Sequence, residues 1–290
     1  MFKKINLYKA FIYSSLISLA LMIIIPISWV FMASLKTNAE FYGSPFNLPL
    51  SIQFDNFKNA FINAKMGEYF LNSILVTLMA LIILLVVALP ASYVLARFNF
   101  KAKKFINTFL MAGLFININY IVIPIFLMLL DSDRFIRKIF GFRFLLNNIF
   151  ILALIYAASA LPFTIYLLSS YFKTLSKSYE EAAYIDGYGY FKTMTKIMFP
   201  LAKPSIITVI LFNFLAFWNE YIIALTLLSD PKGQKTLPIG LTNLYKVARG
   251  RSELGTLYAG LVIVMLPTLI LYILVQSKLT KGMTVGGIKE

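Results

Sequence analysis

The sequence contains no cysteine and no histidine. The first absence excludes disulfides and thiolate chemistry, and the second removes the commonest general base and the commonest zinc ligand. Charge is also scarce, because only 13% of the residues are charged while 60% are hydrophobic. Soluble domains contain about 45–50% apolar residues. The composition therefore predicts an integral membrane protein without a metal site.

The few charged residues are mostly basic. Lysine and arginine number 27 against 12 acidic residues, which gives a formal net charge of +15. Nucleic-acid binding requires a basic face interleaved with exposed aromatic side chains, whereas the aromatic residues here lie inside apolar runs. We therefore expect the basic loops to contact membrane lipid headgroups, and we expect no nucleic-acid partner.

Long apolar runs dominate the chain. A transmembrane helix needs about 20 mostly apolar residues. Stretches that meet this requirement lie at 11–35, 69–96, 105–130, 146–171, 204–228 and 255–276. The predicted fold class is all-α, a polytopic membrane protein with six transmembrane helices in a single domain at 1–290. The segment between the first two spans also predicts an amphipathic helix at 55–64.

The orientation of the spans follows from loop charge. The compact loop at 97–104 carries Arg97, Lys101, Lys103 and Lys104, which marks it as cytoplasmic under the positive-inside rule. The first apolar run is longer than the hydrophobic region of a signal peptide, so we expect it to remain as a membrane anchor. Both termini are predicted to lie in the cytoplasm.

The charge-bearing segment at 178–201 joins the fourth and fifth predicted spans. Ser178 and Glu181 fit a capping box, which predicts a helix that begins one residue after this serine. Gly187 allows the backbone to turn, and a second helical piece is predicted to follow and to end at Pro200. The pattern indicates a short helical element that connects two spans and is accessible to a partner protein.

Motifs in this segment and beyond it carry a family resemblance. Glu181-Ala182-Ala183 is followed by Gly187, then by nine residues, Ile197 and Phe199-Pro200. This arrangement resembles the EAA loop of ABC importer permease subunits, with Phe199 where leucine is usual. The stretch at 218–221 and the tail at 276–287 are similar to the sugar-transporting, maltose-permease-like branch. The resemblance covers essentially the whole chain.

The resemblance implies a type I ABC importer permease fold with a cytoplasmic coupling helix in the loop at 172–203. In such permeases this helix lies in a groove of the ATP-binding subunit. The residues expected to couple to that subunit are Glu180, Glu181, Ala182, Ala183, Gly187, Ile197 and Pro200. The implied partners are a homologous permease subunit, two ATP-binding subunits and an extracytoplasmic solute-binding protein. The implied function is ATP-driven import of a sugar across the cytoplasmic membrane.

A simpler interpretation of the two glutamates is that they are acids favoured at a helix N-terminus by the helix dipole. The nearby Lys192-Thr193 does not complete a Walker motif, because Phe191 occupies the position that requires glycine. ATP and Mg²⁺ are therefore expected to bind the partner ATPase subunits. No cofactor and no enzymatic activity are predicted for this chain.

Two polar patches interrupt the predicted spans. Glu220 is the one ionisable residue well inside a span, and such a residue usually faces an interior cavity or a partner. The candidate substrate-pathway residues are Asn117, Asn119, Tyr120, Asn213, Trp218, Asn219 and Glu220. Amide and indole groups can contact sugar hydroxyls and ring faces. The alternative is that these side chains hydrogen-bond neighbouring helices and hold them together.

Basic residues also cluster in the predicted outer loops. The resemblance implies that the loop between the last two spans reaches toward the solute-binding protein. The candidate contacts are Lys235, Pro238, Gly240, Lys246, Arg249 and Arg251, and the preceding outer loop adds Arg134, Arg137, Lys138 and Arg143. These side chains could also attract an anionic ligand or contact lipid headgroups.

Other classes of function remain open at this point. An ion-coupled secondary transporter usually shows several intramembrane ionisable groups or inverted repeats, whereas this chain shows one glutamate. An integral membrane enzyme is disfavoured because cysteine, histidine and paired intramembrane carboxylates are all absent. Within the same family, a glycerol-phosphate ester or an anionic saccharide is an alternative substrate, and the sequence does not identify the sugar.

Overall fold

The computed structural model describes residues 7–230, 234–251 and 253–284, and within these ranges all regular secondary structure is helical. In chain order the helices are α1 (Leu7–Ser34), α2 (Asn38–Gly43), α3 (Asp55–Lys58), α4 (Met66–Arg97), α5 (Lys103–Gly113), α6 (Ile118–Phe140), α7 (Ile149–Thr174), α8 (Ser178–Ile185), α9 (Tyr190–Thr193), α10 (Phe199–Leu201), α11 (Lys203–Trp218), α12 (Ile222–Leu227), α13 (Leu237–Arg251) and α14 (Leu254–Thr284). Single π-helical turns follow α3 at Asn59–Asn63 and join α9 to α10 at Met194–Met198.

The helices confirm the prediction of an all-α, polytopic membrane protein. Among the described residues, α1, α4, α7 and α14 are each long and apolar enough to cross a membrane. Two further pairs of helices qualify if each bent pair counts as one span. These pairs are α5 with α6, bent by 103°, and α9–α10 with α11, bent by 74°. The number of spans is therefore four, or up to six with the bent pairs.

The third predicted span, at 105–130, is not a continuous helix. The chain breaks between Gly113 and Ile118, where the side chain of Asn117 accepts a hydrogen bond from the Asn119 amide and caps α6. An asparagine cap satisfies a free backbone donor, so it can begin a new helix inside an apolar run. Pro124 lies inside α6, which continues past it to Phe140.

The basic residues that follow this span also differ from the prediction. The outer loop predicted to contain Arg134, Arg137 and Lys138 is helical at these residues, because α6 continues through them to Phe140 and ends at Gly141 in the left-handed conformation. Asp133 organises the segment that follows. Its carboxylate accepts hydrogen bonds at 2.8–3.0 Å from the backbone amides of three consecutive residues, Phe144, Leu145 and Leu146.

The chain divides into two compact units. One consists of the residues up to Glu68 together with Gly240–Leu266, and the other consists of Tyr69–Ile239 together with the residues from Pro267 onward. The second unit has a core in which α4, α7 and α11 contribute fully buried side chains such as Leu84, Leu152 and Val209. The single-domain organisation expected for 1–290 stays a prediction.

The first unit contains α1 and the segment between the first two predicted spans. The amphipathic helix expected at 55–64 is confirmed as α3 and its π-helical turn, while α2 was not predicted. A capping box formed by Thr37 and Glu40 begins α2. Lys36 is fully buried, and its Nζ donates to the carbonyl oxygens of Ser44 and Pro45.

Most apolar side chains of α1 are exposed, so lipid or another chain must cover them.

Candidate functional site

The helix α8 lies at the centre of the predicted coupling segment, but its N-terminus differs from the prediction. The expected capping box of Ser178 and Glu181 is wrong, because Lys177 precedes the helix and no side chain caps it. A capping residue needs an extended backbone, whereas Lys177 is already helical with φ −67° and ψ −21°. The hydroxyl of Ser178 instead lies 2.7 Å from the hydroxyl of Ser176.

A buried polar cluster attaches α8 to the end of α4. The Oε1 atom of Glu180 lies 3.3 Å from Nε of Arg97 and accepts a hydrogen bond of 2.8 Å from the hydroxyl of Tyr93. Arg97 also donates from Nη2 to the carbonyl oxygen of Leu175 at 2.8 Å. The side chains of the ion pair are only 7% and 14% exposed. Glu180, the first glutamate of α8, therefore binds its own chain.

Neither Tyr93 nor Arg97 was predicted as a site residue. Arg97 was interpreted only as a marker of membrane orientation, and Tyr93 lies within an apolar run. The signal available in the sequence was the position of Arg97 at the end of a span, because a basic side chain there can reach the acids of a neighbouring loop.

The end of α8 confirms the predicted turn at Gly187. This residue has a φ of +77°, which side-chain-bearing residues rarely adopt. The Gly187 amide donates to the Tyr184 carbonyl, and the Tyr188 amide donates to the Ala183 carbonyl at 2.9 Å. This pair of bonds is the Schellman arrangement, which satisfies the last free carbonyl groups of the helix.

The second half of the segment ends one residue beyond the predicted stop at Phe199-Pro200, because α10 extends to Leu201 and the bend toward α11 follows at Ala202. Pro200 is the second residue of α10, directly after a π-helical turn. A proline near the start of a helical segment needs no amide partner, so it is accommodated there.

The segment has an inner face and an outer face. Ala183 is buried at 1% exposure, and Ile197 is partly buried. The predicted coupling residues that are exposed are Glu181, Ala182, Gly187 and Pro200. Large apolar side chains join them, with Ile185 at 86% exposure, Phe191 at 73% and Tyr190 at 63%. We call the exposed residues Glu181, Ala182, Ile185 and Phe191 the outer face of the coupling segment.

Glu220 lies in the break between α11 and α12. Its Oε2 accepts hydrogen bonds from the Tyr156 hydroxyl at 2.7 Å and from the Ala224 amide at 2.9 Å, and its Oε1 accepts from the Ile223 amide at 2.7 Å. The carboxylate therefore caps α12 and connects it to α7 at the same time. The predicted continuous span at 204–228 is interrupted here, from Asn219 to Tyr221.

The neighbouring polar residues of α11 differ in their surroundings. Asn213 is buried, and its amide donates to the Thr164 hydroxyl at 3.0 Å and to the Val209 carbonyl at 2.7 Å. Trp218 is buried and stacks on the ring of Phe214. Asn219 is exposed, and its amide donates to the carbonyl oxygen of Leu215 within α11.

The second polar patch lies at the break before α6. Asn117, Asn119 and Tyr120 are all exposed, and Tyr120 reaches 84% exposure. The structure thus brings Asn213, Trp218 and Glu220 into the packed helices, and it leaves the patch at 117–120 and Asn219 on the surface.

The predicted binding-protein contacts fall on and before α13. α13 begins at Leu237 and includes the candidates Pro238 and Gly240, which therefore lie on a helix. The carbonyl of Lys235 accepts a hydrogen bond from the Asn72 side chain, and Lys246 is exposed. The candidate residues whose side chains lie outside the described part of the structure are Arg249 and Arg251.

These features together define a class of protein. Several helices are long and apolar enough to cross a membrane, and the loop between two of them forms a short helix with exposed apolar side chains. Within the described residues, no group of three acidic, histidine or cysteine side chains could hold a metal ion. This architecture is that of a polytopic helical membrane protein that exposes a short helix with apolar side chains between two of its spans.

A comparison with known families identifies which transport subunit this is. Residues 88–284 match the family described as binding-protein-dependent transport system inner membrane component. The chain belongs to this family. The resemblance inferred from the coupling segment is thereby confirmed, and with it the permease fold.

Relatives and a solved structure extend the likeness over nearly the whole chain. The chain is 34% identical over 279 residues to the diacetylchitobiose uptake system permease protein NgcG of Streptomyces coelicolor, covering 96% of this chain and 88% of the relative. It is 28% identical over 267 residues to the trehalose transport system permease protein SugB of Mycobacterium tuberculosis, covering 92% of each.

The fold is similar to a chain in the crystal structure of a bacterial ABC transporter involved in the import of the acidic polysaccharide alginate. The TM-score is 0.77 at 23% identity, and the match covers 96% of this chain and 98% of that chain. This likeness supports the fold.

Proposed function

We propose that this chain is a transmembrane subunit of an ATP-driven importer that carries a sugar across the cytoplasmic membrane. Membership of the binding-protein-dependent family supports the transport role. The relatives named for diacetylchitobiose and trehalose support a sugar as the substrate. This chain catalyses no bond chemistry, and the ATP and Mg²⁺ belong to separate ATP-binding subunits.

The assembly that this role requires contains a homologous permease subunit, two ATP-binding subunits and an extracytoplasmic solute-binding protein. Both termini of this chain lie in the cytoplasm, together with the coupling segment. The basic loop between α4 and α5 supports this orientation, since Arg97, Lys101, Lys103 and Lys104 lie within eight positions.

The observation that carries the proposal is the two-sided arrangement of α8. Its inner side binds the chain itself through Glu180 and Ala183, while the outer face exposes Glu181, Ala182 and Ile185. Exposed apolar patches mark interaction sites for other proteins, and Tyr190 and Phe191 add exposed aromatic side chains next to Ile185 in the chain. We assign the outer face as the surface that an ATP-binding subunit contacts.

The inner contacts explain how movement of that subunit reaches the membrane helices. The ion pair of Arg97 with Glu180 connects α8 to α4, and the short link at 175–177 connects α8 to α7. Because α4 and α7 share a buried core, a displacement of α8 moves them together as a rigid body. ATP binding would thus turn the transport cavity outward, and hydrolysis would reset it.

The proposed substrate pathway contains fewer residues than the sequence analysis predicted. The exposed residues Asn117, Asn119, Tyr120 and Asn219 are available to line a cavity shared with the partner permease. Contacts of Asn213 and Glu220 with neighbouring helices support a structural role for these two residues. Trp218 packs against other aromatic rings in the same helical core.

The outer basic residues remain candidates for docking of the solute-binding protein. Lys246 is exposed on α13, which supports its participation. Acidic surfaces on a binding protein would be attracted by such side chains in a salt-dependent manner. Docking affinity that does not change with ionic strength would contradict this assignment.

Reconstitution tests the proposed function. The chain, its partner permease and the ATP-binding subunits are placed in proteoliposomes, and uptake of a labelled sugar is measured with the solute-binding protein. We expect uptake only with ATP and Mg²⁺. Uptake driven by an ion gradient alone would indicate a secondary transporter, and a covalently changed product would indicate an enzyme. The ligand that copurifies with the binding protein distinguishes a neutral sugar from an anionic saccharide or a glycerol-phosphate ester.

A further inference from the structure

A polar cavity lies between α5 and α7. Its volume is about 190 Å³. The residues that line it are Asn107, Leu110, Met111, Ile165, Tyr166, Ser169, Ser170 and Lys173. The two helices approach closely where Gly113 meets Pro162, since a Cβ atom on Gly113 would lie 2.9 Å from the proline ring. The cavity lies on the Lys173 side of this contact.

The lining offers hydrogen-bond donors that have no protein partner. In the part of the chain that the structure describes, the side chains of Asn107, Tyr166 and Lys173 form no hydrogen bond or ion pair. The hydroxyls of Ser169 and Ser170 already donate to the Tyr166 carbonyl, at 3.1 Å and 2.8 Å. No lining residue is acidic. An ammonium group, an amide and a phenol thus converge on a space without an anion to accept from them, which predicts an anionic ligand.

The polarity of the lining changes along the helices. Leu110, Met111 and Ile165 provide apolar surface, and Lys173 lies in the last turn of α7. The basic loop before α5 begins at the same end of these helices, with Lys101 and Lys104 exposed. A glycerophospholipid has the same order of an anionic headgroup followed by apolar chains. Basic pockets between membrane helices near the interface suit such headgroups.

We propose that this cavity binds the phosphate headgroup of an anionic phospholipid. Lys173 supplies the charge, while Asn107 and Tyr166 donate to the phosphate oxygens. Leu110 and Met111 contact the upper part of the acyl chains. Because α7 leads through 175–177 directly into α8, the bound lipid would brace the connection between the membrane helices and the coupling segment. The proposal does not depend on the identity of the transported solute.

Native mass spectrometry of the purified full chain tests the proposal. The protein is incubated in detergent micelles that contain either phosphatidylglycerol or phosphatidylcholine. It is then transferred to lipid-free detergent, and the lipid molecules that remain bound are counted. We expect preferential retention of phosphatidylglycerol. The Lys173→Gln variant should lose about fivefold in that retention, as is typical for one basic contact at a membrane surface. The matched control is Lys101→Gln, which removes an exposed lysine at the same end of the helices but outside the cavity and should retain the lipid.

A second variant, Asn107→Leu, keeps every charge and removes only an amide, and it should also weaken retention. Equal losses in the Lys173→Gln and Lys101→Gln variants would overturn the proposal, because they would indicate non-specific attraction. Equal retention of the two lipids by the unmodified chain would overturn it as well. Displacement of the lipid by millimolar inorganic phosphate would show that a free anion, and not a lipid headgroup, is the ligand.

Discussion

Removing the ion pair between Arg97 and Glu180 tests directly whether this pair attaches α8 to α4. The change is Arg97→Met, which keeps an apolar stem of similar length and removes the guanidinium. Glu180, whose side chain is 14% exposed in the native chain, would then keep only the hydrogen bond from Tyr93. The variant should insert normally but should hold α8 less firmly against α4.

The expected size of this effect follows from the burial of the pair. Breaking a buried ion pair costs about 3–5 kcal/mol, and the residual exposure of 7% and 14% favours the lower limit. A loss of about 3 kcal/mol changes the equilibrium between attached and detached α8 by about a hundredfold. We expect sugar uptake per ATP hydrolysed to fall at least tenfold, with a smaller change in hydrolysis itself.

The assay is paired measurement of uptake and ATP hydrolysis in proteoliposomes, with Lys101→Met as the matched control. Lys101 follows Arg97 by four positions but is exposed, and it forms no ion pair among the described residues, so its loss should have no measurable effect. The double variant Arg97→Met with Glu180→Gln should be less impaired than the sum of the two single variants, because no uncompensated charge remains. Strictly additive effects, or a normal ratio in Arg97→Met, would refute the reasoning.

Four further changes have defined outcomes. Ile185→Glu should abolish copurification with the ATP-binding subunit without lowering the melting temperature, because this side chain is 86% exposed, whereas Ile52→Glu should leave copurification intact. Gly187→Ala should reduce uptake severalfold, because an alanine at φ +77° costs about 1–2 kcal/mol. Glu220→Gln should lower the melting temperature and leave sugar selectivity unchanged, because one amide oxygen replaces a carboxylate that accepts three hydrogen bonds. The pKa of Glu40 is held below its ordinary value, chiefly by the hydrogen bond from the Thr37 amide. The stabilisation of α2 by this carboxylate is therefore present above the pKa that Glu40 has in the unfolded chain, and it is lost as the pH falls through the lower pKa of the folded chain. Glu40→Gln should remove that acid dependence from the hydrogen exchange of α2.

Each of these four predictions would be contradicted by a specific result. Copurification of Ile185→Glu at the normal yield would show that the outer face does not contact the ATP-binding subunit. Normal uptake by Gly187→Ala would show that the turn tolerates a side chain. Altered sugar preference in Glu220→Gln would assign that residue to the substrate pathway. Acid-dependent exchange in α2 that persists in Glu40→Gln would place its cause elsewhere.

The apolar runs predicted the general fold because membrane helices are determined largely by local composition. The break before α6 was not predicted from the apolar runs. Asn117 acts as a helix cap within an apolar run, and hydrophobic periodicity does not indicate caps. The end of α10 was predicted one residue too early, since a proline can stop a helix or begin one depending on the turn before it.

The coupling segment was predictable as a motif but not in its contacts. The alanines and Gly187 indicated a short helix and a turn, which the structure confirms. The inward direction of Glu180 depends on Tyr93, which lies 87 positions earlier in the chain. The sequence also identified Glu220 as unusual, but its partner Tyr156 lies 64 positions away. Such long-range pairs are fixed by packing, which local patterns do not contain.

The central claim is that a separate ATPase acts on this chain from the cytoplasm through the outer face of the coupling segment. Because the chain has no cysteine, Ile185→Cys creates a single reactive thiol at 86% exposure. A membrane-impermeant maleimide should label it in inside-out vesicles and not in intact cells, and the bound ATP-binding subunit should block the labelling. Labelling from outside intact cells, or labelling unchanged by that subunit, would contradict the account.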